Sequence, residues 1–148
     1  MATERDRPYG AFRFLVDLGG GTDGPKAGFQ EATGLGVEVT MQEYRAGNDV
    51  RNAPIKIPGI YKATDISLKR GVLGALDLVE WLNQVRSGAD ARRDITIQLQ
   101  TEDLSAIAMT WKLIGAQPMK YTGPSLNGKG TDVAIEELGL SVEDIQFE

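Results

Sequence analysis

The 148-residue chain contains neither cysteine nor histidine. The first absence excludes disulfides, thiolate nucleophiles, iron–sulfur clusters and thiolate zinc sites. The second removes the usual triad base, the imidazole metal ligand and the proton switch that works near neutral pH. No stretch approaches the ~18 consecutive apolar residues of a spanning helix, so no membrane anchor is expected. The opening MATERDRPYG is charged and lacks the apolar core of a secretory signal, which implies synthesis in the cytoplasm and any exit by a route that ignores signal peptides. What survives is carboxylate acid/base work, a lysine or serine nucleophile, an all-oxygen Ca²⁺ or Mg²⁺ site, or no catalysis at all. A chain of this length buries about 70% of its unfolded surface, enough for one domain without staples.

Charge is scarce in net terms but unevenly placed. Of a net −5, residues 132–148 supply Asp132, Glu136, Glu137, Glu143, Asp144 and Glu148 with no basic residue, while the rest of the chain is balanced to within one charge. Between Tyr44 and Val72 the bias reverses, with Arg45, Arg51, Lys56, Lys62, Lys69 and Arg70 against Asp49 and Asp65. Two solvated faces account for this, as does a self-complementary interface between copies. Nucleic-acid binding fits poorly with a sequence pI of 4.8 and a diluted basic stretch.

Apolar residues alternate with period two along most of the chain, the pattern of strands with one buried face. Phe12, Phe14, Val16 and Leu18 form a first strand that ends in the turn Gly19–Pro25. From Phe29 to Tyr44, Val37, Val39 and Met41 oppose Glu38, Thr40 and Gln42, with Gly34 and Gly36 marking a bend. A loop is predicted from Gly47 to Gly59, then a strand from Tyr61 to Arg70. Leu78, Trp81, Leu82 and Val85 fall on one helical stripe before Ser87-Gly88, predicting a helix over Leu76–Arg86. Ile95, Ile97 and Leu99 and then Ile107, Met109, Trp111 and Leu113 read as a hairpin, followed by a Pro118–Thr131 loop. In the last segment the apolar parity moves from Val133 and Ile135 to Leu138, Leu140 and Val142, which predicts a bulge at Glu136-Glu137. The fold class is mainly β with some α: an antiparallel barrel or sandwich of about six strands with one packed helix, in a single domain spanning 1–148.

No motif assembles an active site. Gly123-Pro124-Ser125-Leu126-Asn127-Gly128-Lys129 has the spacing of a phosphate-binding loop, but Gly130 stands where a Ser or Thr is needed and a strand pattern follows where a helix is needed. Adjacent Glu136 and Glu137 point to opposite faces of a strand and cannot flank one glycosidic bond without the bulge. Trp81 and Trp111 read as core anchors, and Lys69-Arg70 as a solvated or interface pair. A non-enzymatic chain with no cofactor is expected.

Several segments in order resemble the tail-tube proteins of contractile phage tails and related contractile injection systems. They are Tyr44-Arg45-Ala46-Gly47, Lys56-Ile57-Pro58-Gly59, Ile66-Ser67-Leu68-Lys69-Arg70-Gly71-Val72, Trp81-Leu82-Asn83, Arg93-Asp94-Ile95, Met109-Thr110-Trp111, Gly123-Pro124-Ser125 and Ala134-Ile135-Glu136-Glu137-Leu138. The resemblance runs from Phe12 to about Val142; the glycine-rich turn Gly19–Gly28 looks expanded for the family. It implies an inner-tube subunit that closes into hexameric rings, stacked inside a contractile sheath. Sheath, baseplate or tube-initiator proteins and a lumen cargo of effector protein or DNA would be its partners, and a phage tail or a released injection particle its place. By the same resemblance Glu38, Thr40, Gln42, Asp65, Ser67 and Lys69 belong to the lumen lining, and the Gly47–Gly59 loop reaches a neighbouring ring. Its Arg51 and Lys56 would meet Asp132, Glu136 or Glu143 of another copy. A monomeric barrel holding a ligand or glycan against Trp111 or Tyr121 is the competing expectation, and a carboxylate hydrolase the third.

Overall fold

The computed structural model describes residues 4–19, 28–48, 50–74 and 76–148. Nine strands and one helix occur among them: β1 (Phe14–Asp17), β2 (Glu31–Thr33), β3 (Val37–Tyr44), β4 (Ile55–Ala63), β5 (Ile66–Gly71), α1 (Asp77–Arg86), β6 (Arg93–Gln100), β7 (Ile107–Thr122), β8 (Ile135–Ser141) and β9 (Asp144–Phe147). Every pairing is antiparallel. Seven strands form one folded sheet in the order β1-β6-β7-β8-β5-β2, with β9 also on β7. The 16-residue β7 belongs to two leaves: its first half pairs with β6 and β9, its second half with β8. Gly115, at φ +65°, lies between those halves, where a Cβ would strike the Glu143 side chain.

The core lies between the leaves. Val16, Ile95, Ile97, Leu113 and Ile145 come from one side and Ile66, Leu68, Leu138 and Leu140 from the other, all essentially inaccessible. Helix α1 closes one end by burying Leu78 and Trp81, whose indole Nε1 donates to the Ala91 carbonyl at 2.6 Å. The Arg93 guanidinium covers the Trp81 ring at 4.6 Å.

The strands depart from the expected six in three respects besides the separation of β2 from β3 and the extra β9. Proline did not end strands: Pro58 pairs with Met41 inside β4, beside a register shift, and Pro118 lies inside β7 at another. The expected Tyr61–Arg70 strand is broken at Thr64-Asp65, where β4 leaves the body and β5 joins it. The expected bulge at Glu136-Glu137 is absent: β8 alternates regularly, with Glu136, Leu138 and Leu140 all inward. The parity change was read because Val133 precedes the strand and Ile135, its first residue, is an apolar side chain on the outer face. The Gly19–Gly28 turn falls mostly outside the described residues.

β3 and β4 stand apart as a two-stranded sheet. They are rooted where Gly34 (φ +87°) packs so tightly on the Asp65 carbonyl that a Cβ cannot fit. The Thr64 amide donates to the Gly36 carbonyl at 3.0 Å, and its hydroxyl reaches the same oxygen at 2.9 Å. The arm touches the body at β9, where Asp144 lies within hydrogen-bonding reach of the Tyr61 hydroxyl.

Candidate functional site

Three surfaces and one buried cluster carry the chemistry of the molecule. In the cluster, strand parity carries Arg70 inward after Ile66 and Leu68, and Glu136 inward beside Leu138. The two are cross-strand partners. Arg70 Nε donates to Glu136 Oε1 at 2.6 Å, its terminal nitrogens bind the Asp77 carboxylate at the start of α1, and Tyr121 donates its hydroxyl to Glu136 Oε2 at 2.7 Å. The guanidinium also faces the Phe29 ring at 5.7 Å. Arg70 is 1% exposed and Glu136 4%. Burial opposes the charge on Arg70, but the hydrogen bonds to Asp77 and Glu136 outweigh it and its pKa rises. The Tyr121 hydroxyl is likewise pushed up, first by its bond to Glu136. All polar atoms of the cluster are satisfied, so it fixes the helix on the sheet rather than offering a reactive group.

This arrangement corrects two expectations. Lys69 and Arg70 do not act as a surface pair, since Arg70 is in the core. Glu136 is spent on its own chain and is withdrawn from the acidic residues offered to another copy. Both positions were readable by continuing the parity of their strands instead of invoking a bulge.

The first surface is the outer face of β2, β5 and β8. Glu31, Lys69 and Glu137 form a row across the three strands, with Lys69 Nζ 3.8 Å from Glu31 and Ser67 Oγ donating to Glu137 at 2.6 Å. Opposite charges thus alternate along a hydroxyl-bearing wall. Ser67 and Lys69 lie on this wall and Asp65 at its exposed edge, whereas Glu38, Thr40 and Gln42 lie on the β3–β4 arm, which is open on both sides.

The second surface is that arm. Val37, Val39, Met41, Tyr44, Ile55, Ile57, Ile60 and Tyr61 are between 38% and 77% exposed, and Val50 at the tip is 97% exposed. An isolated hairpin is marginal in water, and so large an apolar array signals a partner. Arg51 and Lys56 are exposed here; the Arg51 carbonyl accepts from Arg45 Nε at 3.0 Å, and Lys56 faces Glu43 across the strands. Asp132 is exposed in the loop before β8, and Glu143 accepts from Arg92 at 3.3 Å.

The third surface is the β6–β7 turn and the segment before β1. Arg5 clasps Glu102 with two nitrogens at 2.6 and 3.0 Å, stacks on Tyr9 at 3.7 Å, and Gly10 N donates to the same carboxylate at 3.0 Å. The Arg5 hydrogen bonds hold Glu102 down at about 2. Within the turn, Asp103 accepts from Thr101 Oγ1, Ser105 Oγ and Ser105 N at 2.6, 2.7 and 3.0 Å, which lowers it to about 2 as well. Sequence reasoning passed over this clasp because its partners are 97 residues apart.

Trp111 contributes to an apolar groove of about 320 Å³ with Phe14, Leu35, Ile97 and Leu99, between the edge strands β1 and β2. Tyr121 is committed to Glu136, so the two aromatics do not build one ligand pocket. The Gly123–Lys129 loop leads into β8, without the helix a phosphate loop needs. No cluster of three potential metal ligands occurs among the described residues, and no helix among them is long and apolar enough to cross a membrane.

The architecture is a two-leaved β fold with an outstretched, exposed apolar hairpin, and no active site is assembled among the described residues. Comparison with known proteins gives the family. The profile of the T4-like virus tail tube protein gp19 matches residues 10–146, and the chain belongs to that family. Among solved structures it is similar to a chain of the PVC extracellular contractile injection system in its extended sheath–tube complex, with 30% identity, a TM-score of 0.83, and coverage of 95% of this chain and 91% of that one. It is similar also to the anti-feeding prophage tube-terminating cap, at 26% identity and TM-score 0.84, covering 100% and 95%. Hcp1 from Flavobacterium johnsoniae, at 16% identity and TM-score 0.55 over 90% and 93%, shares the fold alone. No curated protein matched the sequence. The chain is therefore a structural tube or tube-terminator subunit of a contractile injection system or phage tail, and the monomeric ligand-binding alternative finds no support.

Proposed function

We propose that the subunit closes into hexameric rings that stack into a tube around a lumen, and that it performs no catalysis. The observation carrying this reading is the β3–β4 arm, whose apolar side chains are uncovered and which pairs with no other strand among the described residues, while β1 and β2 are the edge strands of the larger sheet. Such edges invite pairing, and ring closure satisfies them. The alternating Glu31–Lys69–Glu137 wall, with Asp65, Ser67 and the arm's Glu38, Thr40 and Gln42, faces the lumen. With four carboxylates against the single cation of Lys69 the wall is net negative, so it repels rather than traps a polyanion such as DNA. Arg51 and Lys56 face Asp132 and Glu143 of another copy, each exposed pair contributing ~0.2–1 kcal/mol.

Sheath and baseplate proteins are the partners this reading implies, because the similar chains come from a sheath–tube complex and from an anti-feeding prophage baseplate. Assembly starts in the cytoplasm and the finished particle is a phage tail or an extracellular injection device. Sedimentation with negative-stain imaging tests the core of the proposal. Rings or tubes are expected, with or without a baseplate nucleator; a monomer at every concentration and with nucleator present overturns it.

A further inference from the structure

One non-glycine residue among those described has a left-handed backbone: Leu104, at φ +63°, in the β6–β7 turn. Leucine pays a steric penalty there that glycine or asparagine would avoid, and half of its surface, 50%, stays in water. The turn is nonetheless held rigid: the Leu104 amide donates to the Thr101 carbonyl at 3.0 Å, and Asp103 ties Thr101 and Ser105 on either side. The clasped segment beside it, reaching Glu102 through Arg5 and Gly10, carries Phe12 at 67% exposure. An outlier of this kind, overdetermined by its surroundings and presenting an apolar side chain to water, points to contact with another molecule.

The complementary feature stands at the far end of β7. The turn precedes that 16-residue strand and the 123–134 loop follows it, up to about 50 Å away along the chain. There an open hollow of about 540 Å³ is lined by Leu126, Val133 and Ile135 together with Ser125, Asn127 and Asp132. Leu126 and Val133 are 84% and 76% exposed. Lys129, exposed in the same loop, offers a cation to the turn's Asp103 carboxylate. Projection and recess at opposite ends of one strand cannot meet within a chain, but they meet between copies related head to tail, the geometry that builds an open stack.

We infer that the β6–β7 turn is a second stacking contact, in which Leu104 of one copy seats in the Leu126–Val133 hollow of a copy in the next ring with Asp103 beside Lys129. The contact rests on the stacked-ring reading but is independent of the β3–β4 arm. It also assigns the glycine-rich 123–134 loop a use that its phosphate-loop spacing does not.

The test exploits the absence of native cysteine. In the full-length protein, Leu104→Cys combined with Val133→Cys is oxidised after assembly, and a ladder of disulfide-linked multimers is expected on non-reducing gels. Leu104→Gly separates contact from folding: relief of the left-handed strain leaves the melting temperature unchanged or higher, while the protein concentration needed for tubes rises about tenfold. Leu126→Ser with Val133→Ser, at exposed positions, has the same effect on tubes without unfolding the monomer. Tubes that form without the cross-link, or that form equally well from Leu104→Gly, overturn this contact and leave the tube function standing. A Val50→Cys/Val133→Cys ladder in its place identifies the arm as the occupant and also overturns it. Failure of the parent protein to form rings or tubes overturns both readings.

Discussion

The β5–β8 ladder and the β3–β4 arm are written in the same alphabet, alternating apolar with polar residues, yet they end in opposite environments. Ile66, Leu68, Leu138 and Leu140 have no exposed surface to speak of, whereas Val37, Val39, Met41 and Ile57 keep 38% to 53% of theirs. A strand pair buries one face only if a second layer lies over it. The ladder has that layer in β6, β7 and α1, and the arm, turned away at Gly34 and Thr64, has none. Alternation therefore specifies that a face will be covered, and topology decides whether the cover comes from the same chain.

If that division is right, substitutions in the ladder destabilise the monomer and those in the arm change only assembly. The largest effect belongs to Arg70→Met, which leaves Glu136 and Asp77 without their cation. About 3–5 kcal/mol of stability should be lost in chemical denaturation. Next is Gly34→Ala at the root of the arm, where the new Cβ meets the Asp65 carbonyl in a left-handed backbone; a loss of about 1–3 kcal/mol is expected. An unchanged melting curve for Gly34→Ala would show the root to be compliant. Replacing Val39, Met41 and Ile57 together by serine should move monomer stability by no more than ~0.5 kcal/mol per site while abolishing rings in sedimentation. A strongly destabilised monomer would erase the contrast between arm and ladder.

Acid sharpens the contrast from the side of the turn. Glu102 and Asp103 are depressed to about 2 in the fold, below their ordinary carboxylate values. Their contribution is fully present above about pH 5 and is lost as pH falls toward 2. Once the intrinsic slowing of amide exchange in acid is divided out, the protection factors of the Gly10 and Ser105 amides should fall over that window, and in Glu102→Gln the Gly10 amide should already be less protected at neutral pH. The smallest effect is Arg51→Glu with Lys56→Glu: stacking weakens at low salt and converges on the parent as ionic strength rises. Unaltered stacking at low salt removes these two residues from the contact.

Much of the fold was legible because period two and the helical stripe of Leu78, Trp81, Leu82 and Val85 report burial directly. The loops around Pro58 and Pro118 were misread since proline on a free edge or at a register shift costs the ladder little. The Arg70–Glu136 pair was missed for a different reason. Polar residues were assigned outward by type, when their places in Ile66-Ser67-Leu68-Lys69-Arg70 and Glu136-Glu137-Leu138 put them inward by count. The turn bearing Leu104 was expected between the two strands of the hairpin, but neither its left-handed backbone nor the Arg5 clasp has a local signature.

The passage of β7 through both leaves has a mechanical consequence. Two sheets joined only by side-chain packing can slide over one another as plates; here a single covalent strand is hydrogen-bonded into each, so any sliding must tear backbone ladders on both sides of Gly115. It acts as the web of a girder acts between its flanges, turning shear into tension along the chain. In the stacked tube proposed above, this strand lets each subunit resist compression and shear as one piece.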